Sequence, residues 1–354
     1  MERGPVVRGR GGRGVARLVA PVLVVAALIA VGVLVSVKDD SDDAASAARE
    51  PAGSRWQTVR VDVEAPFLPT LANAEFAVGA NRLSFTVVGE RGLALAGLRV
   101  QVRLFDLEDL ASDPEPAASS TQFAQFIRYG DVDPVPASHR HAEGSSLSDN
   151  ARFVGVGVYV VPAFFPTAGR WGLEFLIDDD SAGDEADDLE RVEVLFQLEV
   201  REWASAPNVG EEAIAVRTRT LADEPDVDRL TSDRSPEPGL YQLSIDEALA
   251  TRRPLVLIFS TPAFCHSRTC GPALEVVKSV WRSNAGELNA IHVEVFENPD
   301  EPEALREAPA FKAWRLPSEP WVFVIDRDGR IFSRYEGTIT EAELRGDVAV
   351  VLGW

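Results

Sequence analysis

The two cysteines of this 354-residue chain, Cys265 and Cys270, lie shortly after a continuous apolar run at residues 254–259. A short, uninterrupted apolar run is typical of a strand that is buried on both faces of a sheet. The residues that follow the cysteines predict a helix from about 273 to 282. Both cysteines are therefore expected at the junction between a buried strand and a helix.

Helix and strand patterns alternate around this junction from residue 238 to residue 354, which is typical of an α/β layer fold. Two Ser/Thr-x-x-Glu patterns predict helix starts with capping boxes, one at Ser244 and Glu247 and one at Thr340 and Glu343. An Asp-Arg-Asp-Gly turn predicts a hairpin between the last two strands. The predicted strands are 254–259, 290–296, 316–325 and 330–335, and the predicted helices are 245–251, 273–282, one ending at 314, and one that begins after Thr340.

This order of elements resembles the thioredoxin fold over about residues 239–354. The segments that carry the likeness most closely are Thr-Pro-Ala-Phe-Cys at 261–265 and Arg-Thr-Cys-Gly-Pro at 268–272. They are similar to those of exported bacterial thioredoxin-like proteins. The resemblance implies that Cys265 and Cys270 are a redox pair faced by Pro320 as a cis-proline. It implies thiol–disulfide exchange with exported thiol or disulfide proteins, without a cofactor.

The pair departs from the ordinary thioredoxin pattern in its spacing, because four residues separate the cysteines instead of two. On an ideal helix such positions are about 8.6 Å apart, whereas a disulfide needs less than about 7 Å between Cα atoms. If the two bond, Cys265 must lie in the loop and only Cys270 can begin the helix. The helix dipole then favours Cys270 as the thiol with the lower pKa, with Arg268 and a protonated His266 adding to the effect. A direct alignment with thioredoxins favours Cys265 as the nucleophile, so the assignment stays open.

Two other functions fit the same residues. A structural disulfide would make the domain a non-catalytic scaffold in a binding module. The thioredoxin superfamily also contains copper-delivery proteins that use a cysteine pair and a distal histidine, and Cys and His suit copper. Only His266 and His292 are available for this in the domain. The cysteine spacing of the copper proteins is missing, and the strand 255–259 lacks the carboxylate that many thioredoxins carry there.

The first residues of the chain predict a membrane anchor. Five arginines lie within residues 1–17, and the next twenty residues, 18–37, carry no charge. Such a run spans about 30 Å as a helix, and arginines favour the cytoplasmic side. We expect a cytoplasmic tail at 1–17, a transmembrane helix at 18–37, a tether at 38–54 and an extracytoplasmic remainder. A cleaved signal peptide is the alternative, although the apolar run is long for one.

Residues 55–203 predict an all-β sandwich, because apolar and polar residues alternate in several short runs. The stretch resembles immunoglobulin-like modules of the YtkA type in bacterial export proteins, through Phe-Ala-Val-Gly at 76–79, Asn-Arg at 81–82 and Gly-Arg-Trp at 169–171. The sequence indicates no partner for it. The strand candidates are 58–64, 83–88, 98–104, 152–161, 171–177 and 192–200.

Three polar stretches and the overall charge complete the organisation. The acidic run at 178–190 fits a solvated hairpin tip better than a calcium loop, and His139 and His141 with Glu143 fit a solvated loop better than a metal site. Residues 204–237 lack hydrophobic periodicity and predict a linker before the thioredoxin-like domain at 238–354. The net charge of −21 argues against a nucleic-acid partner, which needs a cationic face.

Overall fold

The computed structural model describes residues 56, 67–89, 94–108, 110, 112–128, 135–136, 153–154, 157–178, 192–265 and 269–354. No helix within these ranges is long and apolar enough to cross a membrane. The predicted anchor at 18–37 lies outside them. So do the predicted tail and tether, the strand candidate at 58–64, the cluster of His139, His141 and Glu143, the acidic run after Asp178, and His266 and Arg268.

The first domain consists of two β-sheets that share one hydrophobic core. One sheet has the order β7-β10-β3-β4-β9-β8 with β1 beside β3, and the other has the order β2-β12-β11-β5-β6. Phe85 of the first sheet and Phe175 of the second meet edge to face with ring centroids 4.8 Å apart. The predicted sandwich is therefore two-layered and β-rich. Its strands are β1 (Phe67–Leu71), β2 (Phe76–Ala77), β3 (Gly79–Gly89), β4 (Ala94–Leu95), β5 (Arg99–Asp106), β6 (Ser120–Phe123), β7 (Gln125–Arg128), β8 (Val135–Pro136), β9 (Phe153–Val154), β10 (Gly157–Phe165), β11 (Gly169–Asp178) and β12 (Val192–Arg201).

The second domain is a four-stranded sheet with helices on both faces. The strand order is β14-β13-β15-β16; β13 is parallel to β14 and antiparallel to β15, which is antiparallel to β16. Helices α1 and α3 pack on one face and α2 and α4 on the other. This is the thioredoxin-like fold that the resemblance implied. The elements are α1 (Ile245–Ala250), β13 (Leu255–Ser260), α2 (Cys270–Asn284), β14 (Asn289–Glu294), α3 (Pro309–Ala313), β15 (Trp321–Ile325), β16 (Ile331–Glu336) and α4 (Glu341–Leu352).

Local sequence signals explain where these elements begin and end. Both predicted capping boxes are present, at Ser244 and Glu247 before α1 and at Thr340 and Glu343 before α4. All six residues of β13 are buried, as the apolar run predicted. Helix α2 begins three residues earlier than the predicted residue 273, at Cys270 itself.

The segment predicted as a linker, residues 204–237, is in contact with the thioredoxin-like domain along much of its course. Leu230 and Thr231 are buried, and Arg334 donates hydrogen bonds to the carbonyls of Ala206 and Pro207. Isolated side chains and polar groups make these contacts, which is why no hydrophobic period shows them. We call residues 231–235 the strap, because they tie β14 to α2 as described below.

Candidate functional site

The cysteine pair lies at the end of the sheet where strand β13 ends. The strand ends at Ser260, a turn follows in which the Phe264 N–H donates to the Thr261 carbonyl at 3.1 Å, and Cys265 comes next. Cys270 is the first residue of α2. Cys265 therefore lies outside the helix and Cys270 begins it, which are the positions that a disulfide between them would require.

Neither cysteine is in a disulfide, and the two thiols differ in exposure. Cys270 is completely buried, whereas Cys265 is partly exposed. A hydrogen bond with Cys265, together with burial, raises the pKa of the Cys270 thiol far above its ordinary value. The charge of Glu319 acts in the same direction, while a hydrogen bond from the Thr261 backbone opposes it.

The raised pKa of Cys270 runs against the expectation that this cysteine has the lower pKa of the pair. The helix-dipole argument considered only the position of Cys270 at the start of α2, where the effect is worth about 0.3–1 kcal/mol. Removing a thiolate from water and holding the proton between two sulfurs outweigh that effect. Cys265, which a partner can reach, is the better candidate for the attacking thiol.

Pro320 lies at the same end of the sheet as the cysteines. Trp321 begins β15 and pairs with Phe259 of β13, so the segment before β15 adjoins the segment after β13. The Glu319–Pro320 peptide bond is cis, as the thioredoxin resemblance implied. The structure thus brings Cys265, Cys270 and Pro320 to one edge.

His292 is buried in a polar cluster behind this edge. One ring nitrogen, Nδ1, is 2.7 Å from the Tyr241 hydroxyl, and the other, Nε2, is 2.8 Å from the Ser260 hydroxyl. Burial lowers the pKa of His292 to about 4, so the ring is neutral at physiological pH. Because both of its ring nitrogens have partners within the protein, His292 is not available as the distal histidine of the copper hypothesis, and His266, the other candidate, lies outside the described residues. Among the described residues, no group of three or more His, Cys, Asp or Glu could hold a metal.

Glu294 is a buried carboxylate near the pair that the sequence analysis missed. Its Oε2 accepts hydrogen bonds from the backbone and hydroxyl of Ser232, each at 2.8 Å. Burial raises the pKa of this carboxyl, and the side chain of Thr261 partly offsets the effect. Ser232 in turn accepts from the Ala263 N–H at 3.2 Å, so carboxylate and strap hold the turn before Cys265.

A sequence signal for Glu294 did exist. Along β14 and the residue after it, positions 291, 293 and 295 are apolar, and His292 and Glu294 alternate with them. Two polar residues on one face of a strand inside an α/β sheet predict a buried polar cluster. The carboxylate that many thioredoxins carry on the strand before the cysteines is thus absent from β13, while a buried carboxylate lies on the neighbouring strand β14.

No family model matches this sequence, and a comparison with curated proteins also gives no match. Among solved structures, the chain is similar to chloroplastic thioredoxin z, with 21% identity, a TM-score of 0.24, and coverage of 29% of this chain and 83% of that one. Two proteins from Chlorobium tepidum are also similar, each covering 42% of this chain and 100% of their own with a TM-score of 0.30. One is described as a thiol:disulfide interchange protein DsbE, at 13% identity, and the other as a thioredoxin family thiol:disulfide interchange protein, at 14%. At these values the likeness concerns the fold of part of the chain and assigns no activity to it.

Proposed function

We propose that this chain is a thioredoxin-like protein that carries out thiol–disulfide exchange through Cys265 and Cys270. One observation carries the proposal: a partly exposed thiol contacts a fully buried thiol at the first residue of a helix. A reactive thiol must be reachable, and its resolving partner must be close enough to displace it. The arrangement meets both requirements.

Exchange would proceed in two balanced steps. The Cys265 thiolate attacks one sulfur of a partner disulfide; a mixed disulfide forms, and the partner's other sulfur leaves as a thiolate that takes up a proton. The Cys270 thiol then loses its proton and attacks the sulfur of Cys265. The Cys265–Cys270 disulfide forms, the partner leaves as a dithiol, and the two electrons have passed to the partner. The reverse sequence oxidises a partner dithiol.

The proposed location is outside the cytoplasm, at the membrane. The arginine-flanked uncharged run at 18–37 supports a single anchor with a cytoplasmic N-terminus. Subtracting the net charge of +5 on residues 1–38 from −21 leaves −26 on the remainder, which favours solubility and disfavours adsorption to anionic lipid. The proposed partners are exported proteins with thiols or disulfides, and the β-sandwich is proposed to be immunoglobulin-like.

A structural disulfide is the second candidate function, and the complete burial of Cys270 favours it, because buried cysteines are often inert. The reduction potential of the pair in the full chain separates the two. Equilibration with glutathione or dithiothreitol buffers should give a value above about −300 mV for an exchange protein, and a lower one for a structural disulfide.

Partner trapping is the direct test. We expect Cys270→Ser to accumulate a mixed disulfide through Cys265, because the resolving thiol is gone, and Cys265→Ser to accumulate none. A pair with a very low potential that traps nothing in either variant would refute exchange and leave the structural disulfide.

A further inference from the structure

A buried carboxylate, Glu336, lies between the sandwich and the segment that ends at the cis-proline. Glu336 is the last residue of β16, is 8% exposed, and pairs with Trp321, which follows Pro320 directly. The next residue, Gly337, donates its N–H to the Pro320 carbonyl at 2.8 Å. We call residues 317–320 the cis-proline loop.

Within the thioredoxin-like domain, Glu336 holds the cis-proline loop through Ser318. The Ser318 hydroxyl donates to Oε1 of Glu336. The same hydroxyl accepts a hydrogen bond from the Trp321 indole N–H at 3.1 Å. A buried carboxylate is stable only when donors surround it, so the position of Ser318 and the charge on Glu336 depend on each other.

The other donors to Glu336 come from the sandwich. The Ala74 N–H donates to Oε1 at 2.9 Å, and the Asn73 amide donates to Oε2 at 3.4 Å. Asn73 is itself fixed on the sandwich, because its side chain accepts from the Ser84 N–H at 2.7 Å and donates to the Arg82 carbonyl at 3.0 Å. The sandwich therefore presents two pre-positioned donors to a carboxylate that also holds the loop.

An ion pair beside Glu336 also joins the sandwich to the thioredoxin-like domain. Arg82 pairs with Glu343 of α4, with Nε to Oε1 at 3.0 Å and Nη2 to Oε2 at 3.3 Å. Its guanidinium also lies over the Tyr335 ring, 5.6 Å from the centroid. Bidentate geometry and partial burial make this contact directional. The sandwich is thus held against β16 and α4 at the position where Glu336 receives its donors.

We infer that Glu336 is a positioning residue through which the β-sandwich fixes the cis-proline loop of the exchange site. The inference rests on the proposed function and extends it: the sandwich is part of the machinery that presents the site to a folded partner. A small disulfide needs only the Cys265 thiol. A protein disulfide must also fit against the edge beside Cys265, which includes the cis-proline loop. Loosening that loop therefore affects protein substrates selectively.

The test compares two asparagines of the sandwich. Asn73→Ala removes a donor to Glu336 and changes no residue of the thioredoxin-like domain. Asn81→Ala is the matched control, because Asn81 bonds only to Ala77 and Gly79 of its own domain in the described structure. Glu336→Gln changes the thioredoxin-like side of the same contact. It has the larger expected effect, because it puts an amide group among all the donors that now face the carboxylate. Each full-length variant is assayed for reduction of insulin and of glutathione disulfide.

We expect Asn73→Ala and Glu336→Gln to lower the rate constant with insulin about fivefold to tenfold, because small displacements of a reacting geometry have large kinetic effects. The rate with glutathione disulfide should stay within about twofold of wild type. Asn81→Ala should change neither rate. Equal losses with both substrates, or an Asn73→Ala protein that behaves like Asn81→Ala, would overturn the inference.

A measurement that does not depend on exchange activity separates this inference from the proposed function. The Trp321 indole N–H signal in NMR reports its bond to Ser318, and it should shift in Asn73→Ala but not in Asn81→Ala. If wild type exchanges with neither substrate, the proposed function fails, and the indole signal alone decides whether the sandwich positions the loop. An unshifted signal in Asn73→Ala would then refute the coupling.

Discussion

Both domains bury charged side chains, but they differ in where the partners of those side chains come from. The described core of the sandwich is built around aromatic and aliphatic groups such as Phe85, Trp171 and Phe175. The thioredoxin-like domain has apolar layers too, but it also buries His292, Glu294 and Lys278 near its cysteine edge. Apolar burial is favourable by about 25 cal/mol per Å², whereas a buried polar group costs free energy unless it has partners. The buried polar side chains of the second domain therefore depend on partners for their stability.

The strap supplies the partners that make this polar burial possible. Thr231 approaches His292, Ser232 bonds to Glu294, and the Lys278 ammonium pairs with Asp233 while donating to the Ser235 carbonyl at 2.9 Å. Within the described sandwich, Glu174 has a comparable arrangement, since it is buried and accepts from Arg103 at 2.6 Å. There the partner lies on a neighbouring strand, whereas in the second domain it comes from outside the α/β layers.

The largest expected effect comes from removing the strap. A fragment of residues 239–354 contains α1 to α4 and β13 to β16, but it removes the strap donors to Glu294 and the Asp233 and Ser235 acceptors of Lys278, which keeps only Glu275. Each buried polar group that loses its partners costs about 1–3 kcal/mol, and a small domain is stable by only about 5–15 kcal/mol. We expect urea unfolding of this fragment to be broad and non-cooperative, and a fragment of residues 204–354 to unfold cooperatively. Equal cooperativity in the two fragments would show that the strap is dispensable.

The second effect concerns the asymmetry of the cysteines. Because Cys270 is buried and holds its proton, we expect alkylation with iodoacetamide at pH 7 to modify Cys265 at least tenfold faster than Cys270. Mass spectrometry after partial reaction of the wild-type protein measures the two rates directly. Faster modification of Cys270 would restore the helix-dipole assignment.

The third effect is a loss of stability at acidic pH through His292. Its pKa is about 4 in the folded protein and about 6.5 when unfolded, so the unfolded state gains the proton first as pH falls. The stabilisation is complete above pH 6.5 and is lost as the pH falls towards 4, by on the order of 3 kcal/mol. Urea titrations from pH 4 to pH 7.5 should show this slope in wild type and a flatter one in His292→Gln.

The smallest effect has the opposite sign and comes from Glu294. Its pKa is raised by burial, so folding favours the protonated form and the carboxyl stabilises the domain least at high pH. Stability should therefore fall as the pH rises above the ordinary glutamate pKa of 4.5. We expect Glu294→Gln, which keeps an acceptor for Ser232, to gain stability over wild type as the pH increases. A constant difference from pH 4 to pH 8 would contradict the assignment.

The sequence predicted the elements whose signals are local. The apolar run before Ser260, both capping boxes and the cis geometry at Pro320 followed from short motifs or from the resemblance that they supported. The required position of Cys265 outside the helix followed from helix geometry. In each case, neighbouring residues along the chain contain the information.

The features that the sequence did not predict depend on distant residues. Glu294 approaches the cysteine edge from the adjacent strand, and the strap contacts β14 and α2 through single side chains spaced without a period. The pKa of Cys270 is raised by a hydrogen bond with Cys265 and by burial under neighbouring elements, and no motif at residue 270 encodes either effect. Likewise, nothing near Glu336 in the sequence indicates that Asn73, 263 residues away, donates to it.

Glu343 illustrates how one side chain can carry two constraints. It closes the capping box of α4 by accepting from the Thr340 N–H at 2.9 Å, and the same carboxylate binds Arg82 of the sandwich. A mutation that removes it would weaken a helix and a domain contact together, so the two traits are pleiotropically linked. Evolution can change the partner at residue 82 while retaining the helix, but it cannot discard Glu343 to release the sandwich without also weakening the start of α4. Substitutions of Arg82 therefore release the domain contact alone, whereas substitutions of Glu343 also weaken the start of α4.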